Sequence, residues 1–223
     1  NGEEDRAGAI FMDFRCDIYA SALPIYVLAD AFGLYAYRQS FDRRVVAIMA
    51  AGMTVGVIIG WATARVVPEA LVTVLIGVIG AVFAVNFLLR HRAEVAARRA
   101  EVAPGLFWGA VTGFTSFVSH SGSPPYQVYV LPLKLEKAVY AGTGTIAFAW
   151  VNAIKLIPYW HLGQLSPGNL KVAAVLAVPA VAAVFAGVWL VRVIPEGLFY
   201  RIVTWALLAV SLRLIWQGAA GLV

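Results

Sequence analysis

A run of apolar residues as long as a bilayer is thick admits few backbone solutions, and this chain has six. They cover about residues 18–37, 45–67, 69–89, 138–158, 170–191 and 196–216. Each is close to the ~20 residues that an α-helix needs to cross the ~30 Å hydrocarbon core. In hydrocarbon no water bonds exposed N–H and C=O groups, so each segment must close its own hydrogen bonds as a helix or join a closed barrel. A barrel is built from ~10-residue segments of alternating polarity, and this pattern is absent from the sequence. Hydrophobic residues make up 61% of the 223 and charged ones 13%, against the ~45–50% apolar share of a soluble domain. The fold class is an all-α polytopic membrane protein.

A seventh apolar stretch, about 105–133, is interrupted by Ser-His-Ser-Gly-Ser-Pro-Pro-Tyr-Gln-Val-Tyr at 119–129. Proline has no N–H and clashes with the preceding turn, so Pro124 and Pro125 fit the start of a helix and not its interior. An unbroken helix over this stretch would reach roughly 44 Å at ~1.5 Å per residue, longer than the hydrocarbon core. Two half-helices meeting at Ser119–Pro125, each reaching about the midplane, fit instead. Non-helical backbone at that depth is tolerated only inside protein or beside a water-filled cavity. The expectation is a re-entrant helical hairpin.

The chain also repeats itself. Arg-Val-Val-Pro-Glu-Ala-Leu at 65–71 returns as Arg-Val-Ile-Pro-Glu-Gly-Leu at 192–198, 127 positions later, and Gly60 falls on Gly187 at the same offset. Upstream, Asp30 aligns with Asn152, 122 positions apart. The chain therefore reads as one transmembrane domain over 1–223, made of two three-helix repeats, about 18–90 and 105–217. The first inter-helix loop carries Arg38, Arg43 and Arg44, and the loop after residue 89 carries Arg90, Arg92, Arg98 and Arg99. Both read as cytoplasmic by the excess of basic residues on that side. The segment 159–168, the counterpart of the first loop, has no Lys or Arg. The two repeats are thus expected to be inverted, which requires 105–133 to enter and leave on one side. By the same logic a matching hairpin precedes the first span. Residues 1–17 are too polar to form it, so the first hairpin is read as missing from the given sequence or irregular.

Charge and cysteine add little. The net charge of +5 is modest and is spent on loop orientation, so nucleic acid is not an implied partner. Cys16 stands alone and forms no internal disulfide.

Chemistry-bearing residues concentrate at the break. Ser119, His120, Ser121, Gly122 and Ser123 together supply hydroxyls, an imidazole and freed backbone N–H groups, which attract negative charge at helix N-termini. They form a candidate anion cradle; alternatively the side chains only satisfy their own broken backbone. Gln127 lies within a turn and is a candidate ligand, while Tyr129 reads as interhelical packing. Lys155 has two readings: a membrane-embedded cation for an anion, or a side chain snorkelling to the interface near Pro158. Asn152, three residues before it on the same face, is a candidate ligand or interhelical bond. Asp30 is read as a proton carrier, a role His120 shares, or as an ion pair with Arg38. The small residues at 141–150 read as close helix packing, with Gly142-Thr-Gly144 lacking the lysine of a phosphate loop. His91, His120 and His161 are scattered, so no metal site is expected. Ser121 lacks a Gly-x-Ser-x-Gly frame, so no enzyme and no cofactor are expected.

Residues 113–135, Gly-Phe-Thr-Ser-Phe-Val-Ser-His-Ser-Gly-Ser-Pro-Pro-Tyr-Gln-Val-Tyr-Val-Leu-Pro-Leu-Lys-Leu, resemble the second-half signature of the TauE/SafE sulfite exporter family. Leu23–Arg44 is similar to its first-half helix and Val151–Trp160 to the partner helix, and the resemblance covers about 20–217. Ser123 stands where members often carry Gly, and the glycine-rich first hairpin is lacking. The resemblance implies a secondary transporter that exports small anions such as sulfite, sulfonates or related organosulfur compounds across the cytoplasmic (inner) membrane. Its partners would be a small anionic substrate and the lipid bilayer, with the oligomeric state left open. The alternative is a membrane scaffold or assembly subunit with no transport path.

Overall fold

The computed structural model describes residues 26–63, 66–90, 97–161 and 167–222. Among these every regular element is helical. A helix over 26–37 (α1) is followed by α2 (Arg43–Thr63), α3 (Glu69–Arg90), α4 (Val102–Val118) and α5 (Ser123–Val130). A 3₁₀ turn (Leu131–Leu133) leads to α6 (Lys137–His161), α7 (Pro167–Val193) and α8 (Glu196–Ala220). Arg43–Thr63, Glu69–Leu89 and Glu196–Ala220 are long and apolar enough to cross a membrane; Val102–Val118 and Pro179–Val193 are shorter apolar helices. The expected first hairpin and the 159–168 loop lie largely outside the described residues.

α2 and α4 run side by side in the same direction with their backbones touching. Gly52, Gly56 and Gly60 recur every fourth residue on α2, as do Gly105, Gly109 and Gly113 on α4, so each set lies along one helical face. A Cβ at Gly56 would sit 1.9 Å from the Ala110 carbonyl oxygen, and one at Gly113 2.1 Å from that of Met53. Only hydrogen fits between the two axes. In lipid, helix association rests on such close packing because tails are as apolar as leucine. α3 and α8 pack antiparallel in the same way: a Cβ at Gly77 would meet the Ser211 oxygen at 2.8 Å, and one at Gly218 the Ala70 oxygen at 2.7 Å.

α6 runs parallel to α2 and antiparallel to α1. The Asp42 N–H donates to Thr143 Oγ1 (2.9 Å) and the Trp150 indole N–H to Thr54 Oγ1 (3.1 Å). A Cβ at Gly142 would lie 1.9 Å from the Ser40 carbonyl oxygen. The small residues at 141–145 therefore receive the α1–α2 turn, as expected of a packing stripe.

Bonds between distant residues sort the turns into two ends. Lys137 Nζ donates to the carbonyls of Arg192 (3.0 Å) and Ile194 (2.6 Å), capping α7 and placing the turn at Pro195 beside the start of α6. The Arg98 N–H donates to the Pro132 carbonyl (3.0 Å), joining the base of α4 to the end of the return leg. Arg38, Arg43, Arg44, Arg98, Arg99, Lys134 and Lys137 gather at this end. At the opposite end the turn at Pro68, the break after α4 and the last turn of α8 enclose a cavity of about 540 Å³ lined by Glu69, Thr73, Ser119, Ser121 and Gln217, among others.

Candidate functional site

α4 stops at Val118, and the chain reverses within four residues. The N–H groups of Ser119 and Ser121 both donate to the Thr115 carbonyl (3.0 and 3.2 Å). His120 takes φ 51°, the left-handed region that L-residues seldom occupy. Gly122 then lies back against α4, where a Cβ would stand 2.9 Å from Ser116 Cβ and 3.0 Å from the Thr112 oxygen. Pro124 and Pro125 open α5, as their fixed φ and missing N–H require.

α5 begins level with Ser116, less than a turn short of the end of α4, while Gly113 touches Met53 in the middle of α2. α4 ends where Phe117 packs on Gly60 near the end of α2. The break lies toward the end of α2 and not beside its middle. The glycine face of α4 lets it lie along almost the whole of α2 before the chain turns. The Tyr129 hydroxyl donates to the Glu101 carbonyl (2.9 Å), fastening the return leg to the base of α4, which is a packing role.

Several tip groups satisfy their own turn. Ser119 Oγ donates to the Thr115 carbonyl (3.2 Å) and Ser121 Oγ to the Ser119 carbonyl (2.8 Å). Gln127 Nε2 donates to Ser123 Oγ (2.9 Å), while Gln127 Oε1 is buried without a hydrogen-bond partner. Ser123 itself is exposed and His120 half-buried.

Lys155 does not snorkel. It is 1% exposed. Its Nζ donates to the Ser116 carbonyl (3.2 Å) and Ser116 Oγ (3.0 Å) in the last turn of α4. Carbonyls there have no partner within the helix, and the macrodipole favours a cation. An ammonium has three donors; among the described residues the third is unclaimed and Lys155 makes no ion pair. A buried charge without a contacting counter-ion is costly, so the site is suited to an incoming anion. Ser121 and Gly122 follow Ser116 closely in space, so Lys155 faces the tip.

One turn back on α6, Asn152 Nδ2 donates to Asp30 Oδ2 across to α1 (2.8 Å). The expected pairing of Asp30 with Arg38 gives way to this bond. Eight residues of helix separate the two by about 12 Å, and the Arg38 guanidinium lies instead over the Tyr35 ring at 4.8 Å.

Two contributors escaped the sequence reading. Ser116 anchors Lys155, a contact that no local pattern signals. Tyr126 is 3% exposed and its hydroxyl is buried without a partner. It stands 3.3 Å from where Gly144 would carry a Cβ, so a glycine in the α6 stripe was its faint signal.

A family model described as sulfite exporter TauE/SafE matches residues 11–214. No curated protein and no solved structure matches the chain.

Proposed function

This chain belongs to the TauE/SafE sulfite exporter family, and from that premise we propose that it is a secondary transporter carrying small sulfur oxyanions or sulfonates, with its anion site between Lys155 and the tip of the broken segment. The family is one of membrane transporters of sulfur compounds. The observation that carries the reading is Lys155: buried, held by Ser116 with two of its donors, and without a carboxylate in contact among the described residues. Ser119–Ser123, with His120 at their centre, and Gln127 complete the cradle. Asn152 serves the helix contact to Asp30.

The broken segment is re-entrant and the two repeats are inverted. Three observations support this. The turns at Pro68 and Pro195, which share the Val-x-Pro-Glu pattern, lie at opposite ends of the bundle. α1 and α6, the first helices of the two repeats, are antiparallel. Asp30 and Asn152, matched by the repeat, bond to each other, as residues on an axis relating the halves would. The arginine-bearing end faces the cytoplasm, so the cavity at Ser119 and Ser121 opens outward, toward the exit side of an exporter in the cytoplasmic membrane. A scaffold has no use for a buried unpaired cation beside such a cavity.

The test is counterflow in proteoliposomes loaded in turn with sulfite, thiosulfate, sulfoacetate, taurine or lactate. Sulfur anions are expected to exchange, and Lys155→Gln to weaken apparent affinity by about 10- to 150-fold. That range is what losing a charged hydrogen bond of roughly 1.5–3 kcal/mol implies. Exchange of no sulfur anion, or unchanged affinity in Lys155→Gln, overturns the reading.

A further inference from the structure

We propose that Asp30, paired with Asn152, is the proton-binding residue that couples anion movement to the proton gradient. This rests on the transport reading above and adds its coupling ion. Asp30 is the one acidic residue among those described that lies away from a helix end; Asp42, Glu69, Glu101, Glu136 and Glu196 stand in turns or at first-turn positions. Asp30 lines a cavity of about 300 Å³ between α1, α6 and α7, with Gly33, Tyr37, Thr145 and Gly187. Protons therefore have a place to arrive.

The partner is the decisive feature. An arginine would hold the acid ionised, whereas an amide serves both protonation states. To the carboxylate, Asn152 Nδ2 donates one hydrogen bond, as observed. To the neutral acid it still donates, and the new O–H can donate back to Asn152 Oδ1. The step is simple: one proton joins one carboxylate oxygen, and no other bond forms or breaks.

The charges nearby give the sense of the coupling. On α6 the Lys155 ammonium acts on Asp30 through space, and it acts also on His120 at the tip after α4. On α1 stands Tyr37, which feels Arg192 of α7. With the anion site empty, the buried Lys155 and Asp30 charges offset each other. A monovalent anion at Lys155 leaves Asp30 as an uncompensated negative charge in a low-dielectric interior, and a proton removes it. Anion and proton thus bind together and cross together, so net movement follows the sum of their two gradients, and export needs an outward anion gradient larger than the inward proton gradient.

The experiment uses full-length protein in proteoliposomes and methanesulfonate, an anion with no membrane-permeant acid form near neutral pH. An imposed pH difference of one unit should drive wild-type accumulation of about tenfold, one proton per anion, since one unit is a tenfold proton ratio. Asp30→Asn should keep methanesulfonate counterflow and show an accumulation ratio of about one. The exchanged double variant Asp30→Asn with Asn152→Asp should regain pH drive, because the two positions face each other on the axis. PH drive that survives in Asp30→Asn overturns the proposal. So does loss of both drive and counterflow in Asp30→Asn, which would make the pair a tie between helices. Absence of counterflow in wild type would sink the transport reading itself, whereas counterflow without pH drive sinks only the coupling.

Discussion

Replacing Gly56 by leucine tests how the α2–α4 seam is held. Already the Cβ would stand 1.9 Å from the Ala110 oxygen and 2.7 Å from the Phe114 nitrogen, both backbone atoms that cannot rotate aside. Ordinary contact begins near 3.4 Å, so the helices must part by about 1.5 Å. The seam is equally tight at Gly52 and Gly113, at 2.4 and 2.1 Å, which leaves no local slack. A gap of ~1 Å forfeits up to half of each dispersion well, and roughly 30 atom pairs at ~0.15 kcal/mol then lose about 2–3 kcal/mol. Overpacked cores suffer on the same scale, ~1–3 kcal/mol. Gly197→Leu is the control, since nothing lies within 4 Å of its Cβ position. The assay heats detergent-solubilised protein and reads the fraction still monodisperse by size exclusion. Gly56→Leu should lose half its monodisperse fraction at a clearly lower temperature than wild type, and Gly197→Leu at nearly the same one. If both variants melt alike, the seam is not what holds these helices.

Four further outcomes are expected. His120→Gly should be more heat-stable than His120→Ala by about 1–2 kcal/mol, since a left-handed residue carries that strain unless it is glycine; equal melting would mean that the turn relaxes around alanine. Tyr129→Phe should weaken the fold by about 0.5–1.5 kcal/mol through loss of the bond to Glu101, measured by the same heating series. Lys137→Met should expose amides near Ile194 to faster hydrogen exchange, because the carbonyls of Arg192 and Ile194 at the end of α7 lose their cap. Single cysteines at Val66 and Val193, exposed and matched by the repeat, should react with a membrane-impermeant maleimide from opposite sides; reaction from one side would rule out inverted repeats.

Local patterns revealed the parts of the fold that local physics decides. Apolar run length located the helices, and two prolines after a glycine located the break. The repeat aligned Asp30 with Asn152, and the helices bring them into contact. What stayed hidden depends on partners distant in sequence. Lys155 could not be placed from its own helix, because Ser116 lies 39 positions away. The α2–α4 seam was legible in principle: glycines every fourth residue at 52–60 and 105–113 announce two helices that touch. Small-residue spacing was read only at 141–150, where it marks the seat of a turn. The Asp30–Arg38 pairing failed because two turns of one helix are too far apart for such side chains to meet directly.

The bond between Asp30 and Asn152 also bears on descent. A residue on a two-fold axis meets its own copy in any dimer of identical subunits. Two aspartates so placed repel, and two asparagines carry no titratable proton. When the two units are encoded as separate copies, the two residues at that position diverge separately. The acid–amide pair is therefore a structure that two diverged units can build and that a dimer of identical subunits cannot.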